Sequence, residues 1–277
     1  MSAPILPFAA PPAVREVIEA SLRLFGGSVL GCLPLATVGT LLGQLPAAYD
    51  IAIHGRPVPL TAASLAAKDG QWWALYVLGT LASLALWAIV LLKQERIATG
   101  GAHGSVPLGT TLARLPAIFG YCAGSFVVML LASLPFGLIA ALVPMSPGQR
   151  GALVLLPVLV TAAALSLGWP ALVVDRRGPL KAIDIGLRLA VAHWRRLLLV
   201  LAAVLATGIV MLILAGLAIG VFAGLAAPAG EAVQNSLAAA IMIAAVALMV
   251  LYLSAFLLVV FDDLRVRTQA SSASNAA

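Results

Sequence analysis

The stretch LLLVLAAVLATGIVMLILAGLAIGVFAGLAA, residues 197–227, contains no charged side chain. A helix needs about 20 apolar residues to cross the hydrocarbon core of a bilayer, which is about 30 Å thick. This stretch is longer than that, so we expect a membrane span that tilts or begins in the interface. Because lipid tails solvate apolar side chains and a helix satisfies its own backbone groups, the sequence predicts a helical membrane protein.

Five further stretches of the same kind occur, and all 16 basic and all 10 acidic residues lie outside the six. Of the 277 residues, 62% are hydrophobic and 9% are charged, whereas a soluble domain has about 25% charged residues. A soluble fold of this size could not cover so much apolar surface. We predict an all-α membrane protein with six transmembrane helices at residues 27–48, 72–92, 117–144, 152–174, 197–227 and 237–261.

The membrane domain is predicted to cover residues 13–267, between two disordered ends. Residues 1–12 are rich in Pro and Ala, and residues 268–277 are small and polar, so neither end has a reason to fold. Glu16 and Glu19 precede the first span where a signal peptide would be basic. We therefore expect that span to be retained rather than cleaved.

Lys and Arg are distributed unequally between the two sides of the membrane. The side that holds both chain ends carries 13 of the 16, and the other side carries only Arg56, Lys68 and Arg150. By the positive-inside rule the first side is cytoplasmic, and both termini are then inside. Seven acidic residues share that side, so the net charge of +6 belongs to the cytoplasmic face.

Each pair of spans is preceded by a segment with an amphipathic helical pattern and a proline near its start. The three segments are residues 12–25, 106–121 and 178–198. We interpret them as short cytoplasmic helices in three possible repeats of helix, outward span, loop and inward span. Interfacial helices that any polytopic protein needs are the alternative. The third segment has an apolar stripe made of Leu180, Ile183, Leu187, Val191, Trp194 and Leu198.

The basic loop before the fifth span is the predicted lipid contact. Anionic headgroups are the expected partners of a basic juxtamembrane loop, and nucleic acid is not, because no folded domain carries the charge. The candidate headgroup ligands are Arg176, Arg177, Lys181, Arg188, Arg195 and Arg196.

Small residues and prolines mark places where helices pack closely or bend. Glycines repeat along the fifth span, which favours either packing within one bundle or homodimerisation. These glycines are Gly208, Gly216, Gly220 and Gly224. Prolines inside spans indicate kinks, or broken helices that could line a cavity. The residues concerned are Pro34, Pro135, Pro157, Trp169 and Pro170.

Residues that would support catalysis or ion coupling are not grouped in this sequence. A proton relay needs an ionisable residue within the membrane. No predicted span contains a charged residue. The chain has no phosphate-binding glycine loop with a lysine and no HExxH motif. Asp262 and Asp263 resemble a metal-binding pair, but Arg265 and Arg267 follow them and indicate a charge-balanced helix end. We expect no catalytic, cofactor or metal site and no enzymatic activity.

The segment LGWPALVVDRRGPLKAIDIGLRLAVAHWRRLLLVL, residues 167–201, resembles the YciC-like family of uncharacterised bacterial inner-membrane proteins. It is also similar to the membrane domain attached to some glycerophosphodiester phosphodiesterases. The family commonly has Ser where this chain has Gly186. The resemblance extends to residues 14–33 and 107–121, and it implies six spans in the bacterial inner membrane, with no assigned activity and no cofactor.

These observations predict a non-catalytic protein that organises the envelope or its lipids, or that serves another membrane protein as a partner, with a homo-oligomer as a further possibility. One alternative is a channel or facilitator for a small or amphipathic solute, suggested by the prolines. The other is the membrane subunit of a lipid-cleaving enzyme, which would need a soluble catalytic partner.

Overall fold

The computed structural model describes residues 4–55, 62–101, 109, 111, 113–226, 228 and 230–276. Within these ranges the regular elements are helices, and no strand occurs. We number them α1 Val14–Gly43, α2 Leu45–His54, α3 Ala62–Ala66, α4 Gly70–Ala98, α5 Leu115–Leu142, α6 Pro147–Ser166, α7 Gly168–Val173, α8 Pro179–Ala192, α9 Trp194–Ala226 and α10 Glu231–Ala276.

Six helical segments are long and apolar enough to cross a membrane: α1, α4, α5, α6 with α7, α9 and α10. The predicted all-α, six-span architecture is therefore confirmed, and the protein is a multi-pass membrane protein. The helices begin before the predicted spans, and α4 and α10 also continue beyond them, whereas α5, α7 and α9 end one or two residues early. The first span differs most, because α1 ends at Gly43 and residues 45–48 begin the separate helix α2.

The bundle consists of two groups of helices. In the first group, α1 packs along both α4 and α10, and α9 packs along α10. In the second group, α5 packs along α6, and α8 lies against α5, α6 and α7. The main core joins the two groups, with Leu24, Leu91, Leu172 and Phe256 among its fully buried side chains. Burial of this kind excludes lipid as well as water, so shape complementarity decides which helices are neighbours.

Glycines permit the close approach of α1 and α4. A Cβ atom added to Gly79 would overlap the carbonyl oxygen of Leu42. A Cβ atom on Gly39 would lie 2.9 Å from the Trp87 indole nitrogen. Two of the small residues on these helices are therefore packing sites, as small residues in membrane helices commonly are.

A second close approach brings α8 against the junction of α6 and α7. A Cβ atom on Gly186 would lie 2.8 Å from the backbone nitrogen of Gly168 and 3.0 Å from the carbonyl oxygen of Ala164. The Tyr121 hydroxyl donates a hydrogen bond to the carbonyl oxygen of Leu165 at the same crossing. The serine that the resembled family commonly has at position 186 would not fit here without a shift of the backbone.

The amphipathic segments differ from one another. Residues 14–25 are the first part of α1, with no break before the span. The third segment forms a separate helix, α8, which ends at Ala192 before α9 begins at Trp194. Much of the second segment lies outside the described residues, although Gly109 and Thr111 are helical and a turn at Ala113 and Arg114 precedes α5. The threefold repeat therefore stays a prediction.

The buried face of α8 also differs from its predicted apolar stripe. Ile183 of that stripe is buried, as are Ala182, Gly186, Leu189 and Ala190. Leu180 and Val191, in contrast, are 77% and 80% exposed. The close crossing requires a small residue at Gly186, and Leu180 and Val191 remain on the outside, where a bilayer interface can receive them.

The structure describes most of both chain ends. The backbone nitrogens of Ile5 and Leu6 donate to the carbonyl oxygen of Ala98 at 2.7 and 2.9 Å, and Leu6 is buried. At the other end, α10 continues to Ala276. The structure thus places residues 4–12 against the bundle and residues 268–276 in a continuation of α10, and the disorder of the two ends stays a prediction. Residues 1–3 and 277 lie outside the described residues.

We expect Gly186→Ala to lower the midpoint of thermal unfolding in detergent, since the added methyl group overpacks the crossing at a cost of about 1–3 kcal/mol. Circular dichroism during heating measures the effect. Gly137→Ala in α5 is the matched control, because a Cβ atom there meets no other atom within 4 Å. Equal midpoints for the two variants would show that the crossing is not tightly packed.

Candidate functional site

Both ends of the described chain meet at one end of the bundle, which we call the terminal face. The Phe8 backbone nitrogen donates to the Asp262 carboxylate at 2.9 Å. The Arg267 guanidinium donates to the carbonyl oxygen of Pro12 at 2.6 Å. These contacts fix the N-terminal segment against the last helix. The terminal face therefore consists of residues 4–13, the end of α8, the start of α9 and the C-terminal part of α10.

Asp263 is the centre of the terminal face. Its carboxylate is fully buried and lies 2.7 Å from the Arg267 Nε and 3.1 Å from the Arg196 Nε. Arg196 also donates to the carbonyl oxygen of Pro12 at 2.9 Å. A buried carboxylate is tolerated when opposite charges and hydrogen bonds surround it. Here the Arg267 Nε donates a hydrogen bond to Asp263, and Arg196 adds an ion pair. The aspartate therefore ties α9, α10 and the N-terminal segment together.

A basic pocket of about 490 Å³ opens beside this ion pair. It lies where α1, the junction of α8 and α9, and α10 come together. The Arg195 guanidinium lies 5.6 Å from the centre of the Trp194 ring, and both side chains are exposed. The Nη1 atom of Arg196 is buried and has no hydrogen-bond partner among the described residues. The pocket is lined by Val14, Ala192, His193, Trp194, Arg195, Arg196, Leu199 and Arg267.

His193 contributes little positive charge to this pocket at neutral pH. Partial burial lowers the pKa of His193 below its ordinary value of 6.5, and the guanidinium groups of Arg267 and Arg196 lower it further, against an opposing effect of Asp263. Its Nε2 atom lies 3.3 Å from the Thr268 hydroxyl. The charge of the pocket at pH 7 therefore comes from its arginines.

The predicted headgroup ligands separate into two kinds. Five of them, Arg176, Arg177, Lys181, Arg188 and Arg195, are exposed. Among these, Arg188 pairs with Asp184 at 2.8 Å.

Arg196 differs from the prediction. Its side chain is only 12% exposed and is held by Asp263, so its first role is structural. Arg267, absent from the predicted headgroup set, lines the pocket instead. Its i,i+4 spacing from Asp263 is the sequence signal that places it.

A second cavity of about 350 Å³, the apolar cavity, lies between the two groups of helices. Trp169 lines it, together with residues of α4, α5, α6 and α10. Four predicted kink or cavity residues, Pro34, Pro135, Pro157 and Pro170, are not among its lining residues. Helices α1, α5 and α6 continue through the first three prolines, and Pro170 is buried within α7.

The glycines of α9 do not form the contacts that packing within one bundle requires. A Cβ atom on Gly208, Gly216, Gly220 or Gly224 would meet no other atom within 4 Å. Intrachain packing through these four glycines is therefore not formed, because this side of α9 faces away from the other described helices. Homodimerisation through them stays a prediction.

Gln94 is a buried polar residue that the sequence did not single out. Its amide nitrogen donates to the Ser28 hydroxyl at 3.2 Å and to the carbonyl oxygen of Leu251 at 2.9 Å. It joins α1, α4 and α10 from within the bundle. Because Lys93 and Glu95 flank it beyond the end of the predicted second span, the sequence placed it in a polar loop.

The opposite end of the bundle is closed by a polar and aromatic cluster. Lys68 pairs with the buried Asp50, and the Trp72 indole nitrogen donates to Asp50 at 3.2 Å. The ring of Tyr76 stacks on that of Trp72 with centres 5.4 Å apart. A hydrogen bond from Tyr49 lowers the pKa of Asp69. Aromatic rings of this kind are common at the boundary between a membrane and water.

Comparison with family models, curated proteins and solved structures finds no match to this chain. The similarity to the YciC-like family therefore stays a prediction that depends on the quoted segments alone. Among the described residues, no three His, Cys, Asp or Glu side chains are grouped as metal ligands would be.

We expect Asp263→Asn to destabilise the protein strongly, because it leaves Arg196 without its buried partner. Breaking a buried ion pair costs about 3–5 kcal/mol. Chemical unfolding in mixed micelles, followed by circular dichroism, measures the change. Asp184→Asn is the control, since its partner Arg188 is exposed and a surface pair contributes about 0–1 kcal/mol. A similar small loss in both variants would contradict a central role for Asp263.

Proposed function

We propose that this protein is a non-catalytic integral membrane protein that binds anionic lipid headgroups in the basic pocket of its terminal face. The observation that carries the proposal is the combination in that pocket of Arg195, Arg196 and Arg267 with Trp194. Guanidinium groups hold phosphate through paired N–H donors. An indole ring is suited to the interface, since one side is apolar and one edge is polar.

The position of the pocket favours a lipid over a soluble anion. Trp194 is the first residue of α9, one of the six helices that can cross a membrane. The pocket is thus at the end of a span, where headgroups lie. Trp194 and Leu198 are 57% and 52% exposed, so the apolar part of a lipid would find apolar surface directly beside the arginines.

The proposed location of the protein is the bacterial inner membrane, with the terminal face in the cytoplasm. The support is the distribution of Lys and Arg, of which 13 of 16 belong to this side. Lipid organisation in the envelope, or partnership with another membrane protein, follows as the proposed role. The two alternatives, a solute facilitator and a membrane subunit of a lipid-cleaving enzyme, stay predictions.

We expect a cytoplasmic reporter fused after Ala277 to be active and a periplasmic reporter fused there to be inactive, because the basic loops hold that end inside. A tandem pair of reporters, one active in the cytoplasm and one in the periplasm, measures the orientation. A fusion within residues 56–61 is the control for the other side. A periplasmic signal from the C-terminal fusion would contradict the proposed orientation.

We expect Arg195→Gln to weaken binding of phosphatidylglycerol about fivefold, since one basic residue near an anionic surface contributes about 1 kcal/mol. Native mass spectrometry of the purified protein, titrated with that lipid at pH 7.5, measures the retained lipid. Arg15→Gln is the matched control on the same side of the membrane, because Arg15 is 88% exposed, pairs with Glu19 and does not line the pocket. Equal losses in both variants would mean that binding depends on total charge and not on the pocket.

A further inference from the structure

The apolar cavity has the composition of a binding site for an uncharged molecule. None of its described lining residues is Lys, Arg, Asp, Glu or His. A charged group would lack a partner in such a site, at high cost within a membrane. Its volume of about 350 Å³ falls within the range of about 300–1,000 Å³ that small-molecule pockets occupy.

The walls of the cavity belong to four membrane-crossing segments. Leu84 and Trp87 come from α4, Tyr121 to Met129 from α5, Ala162 to Trp169 from α6 and α7, and Val250 to Leu257 from α10. In α4, α5 and α6 these positions lie from the middle of the helix toward the terminal face. The cavity is therefore placed beside the acyl chains of the leaflet on that side.

Two polar groups of the cavity lining, the Ser125 hydroxyl and the Trp87 indole nitrogen, have no hydrogen-bond partner among the described residues. Ser125 is 8% exposed, and its hydroxyl has no hydrogen-bond partner among the described residues. The hydroxyl of Tyr121, one helical turn earlier, donates to the carbonyl oxygen of Leu165 and interacts with Ser125, but its geometry does not complete a hydrogen bond to that hydroxyl. A buried hydroxyl without a partner is unfavourable. A ligand that offers a hydrogen bond to Ser125 removes that cost.

We propose that the apolar cavity binds one hydrocarbon chain that carries a neutral hydroxyl or carbonyl group, with this group hydrogen-bonded to Ser125. The chain would contact the apolar lining, including Leu84, Met129 and Leu253. Two sources have this chemistry, the ester carbonyl of a membrane lipid and a free neutral amphiphile. The cavity and the basic pocket share no lining residue, so this inference does not depend on headgroup binding.

The chain carries a natural reporter for the test. Cys122 lines the apolar cavity and is partly exposed, whereas Cys32, the other cysteine, is fully buried between α1 and α10. We expect N-ethylmaleimide to alkylate Cys122 faster than Cys32 in protein held in lipid nanodiscs, as mass mapping of the peptides would show. Added 1-tetradecanol should slow the alkylation of Cys122 and leave that of Cys32 unchanged.

The hydroxyl group of the ligand is tested by comparison with tetradecane. We expect tetradecanol to protect Cys122 at about two- to tenfold lower concentration than tetradecane, the range that one net hydrogen bond gives. Ser125→Ala should remove this difference without unfolding the protein, since it deletes an unpartnered group. Ser133→Ala is the matched control on α5, because that hydroxyl donates to the carbonyl oxygen of Leu130 and lies outside the cavity.

The two sources of the ligand are distinguished by the bilayer. Slower alkylation of Cys122 in ester-linked than in ether-linked lipid, before any addition, would assign the site to a membrane lipid. Equal rates, with protection by tetradecanol, would assign it to a free amphiphile. The proposal is overturned if tetradecane protects as well as tetradecanol, if Ser125→Ala keeps the difference, or if Cys122 reacts no faster than Cys32.

Discussion

Hydrocarbon offers no hydrogen-bond partner to a backbone amide or carbonyl, and the helices of this protein meet that limit by internal pairing. The same limit governs the side chains within the spans. Ser21 and Thr40 donate to carbonyl oxygens one turn earlier, at 2.7 and 2.9 Å. Gln94 reaches two other helices for its partners. Most of these polar groups thus bond to another helix or to their own turn. Exceptions among the described residues include the Ser125 hydroxyl, the Gln94 side-chain oxygen and the Trp87 indole nitrogen.

The hydrocarbon solvent also limits where charged side chains can lie, because a buried charge needs a partner of opposite charge. The buried carboxylates of Asp50 and Asp263 lie at opposite ends of the bundle, and each has a cationic partner. At the terminal face the aspartate pairs with two arginines, so this cluster keeps a net positive charge. Exposed residues such as Arg177 and Arg195 add to the positive surface offered to headgroups.

The sequence predicted what depends on composition and failed where neighbours decide. Six spans followed from apolar length, which the bilayer thickness sets directly. The role of Gly186 did not follow, because a glycine that permits a close crossing looks the same in sequence as the α9 glycines that contact nothing. The burial of Asp263 depends on Arg196, 67 positions away. The position of residues 4–12 depends on acceptors at Ala98 and Asp262, which no local pattern reveals.

The candidate sites show the same division. The exposed basic residues could be predicted as headgroup ligands from the loop that carries them, since charged side chains in a short loop next to the membrane are usually exposed. The apolar cavity could not be outlined, because its walls come from four distant segments, and of the predicted residues only Trp169 reaches it. Prolines were a poor indicator of cavity lining, since neighbouring helices can accommodate a proline within a long apolar helix without opening a cavity.

The packing of α1 against α10 has a consequence for biosynthesis. Cys32 and Ala36 of α1 are buried against Ala247 and Leu251 of α10, so α1 completes this interface only after the ribosome has synthesised α10. Until then α1 can pair with α4 through Gly39 and Gly79, while its other side remains against lipid. Assembly of this bundle is therefore a post-insertion event, and a nascent chain stopped before α10 keeps an unfinished surface that chaperones and proteases of the membrane can recognise.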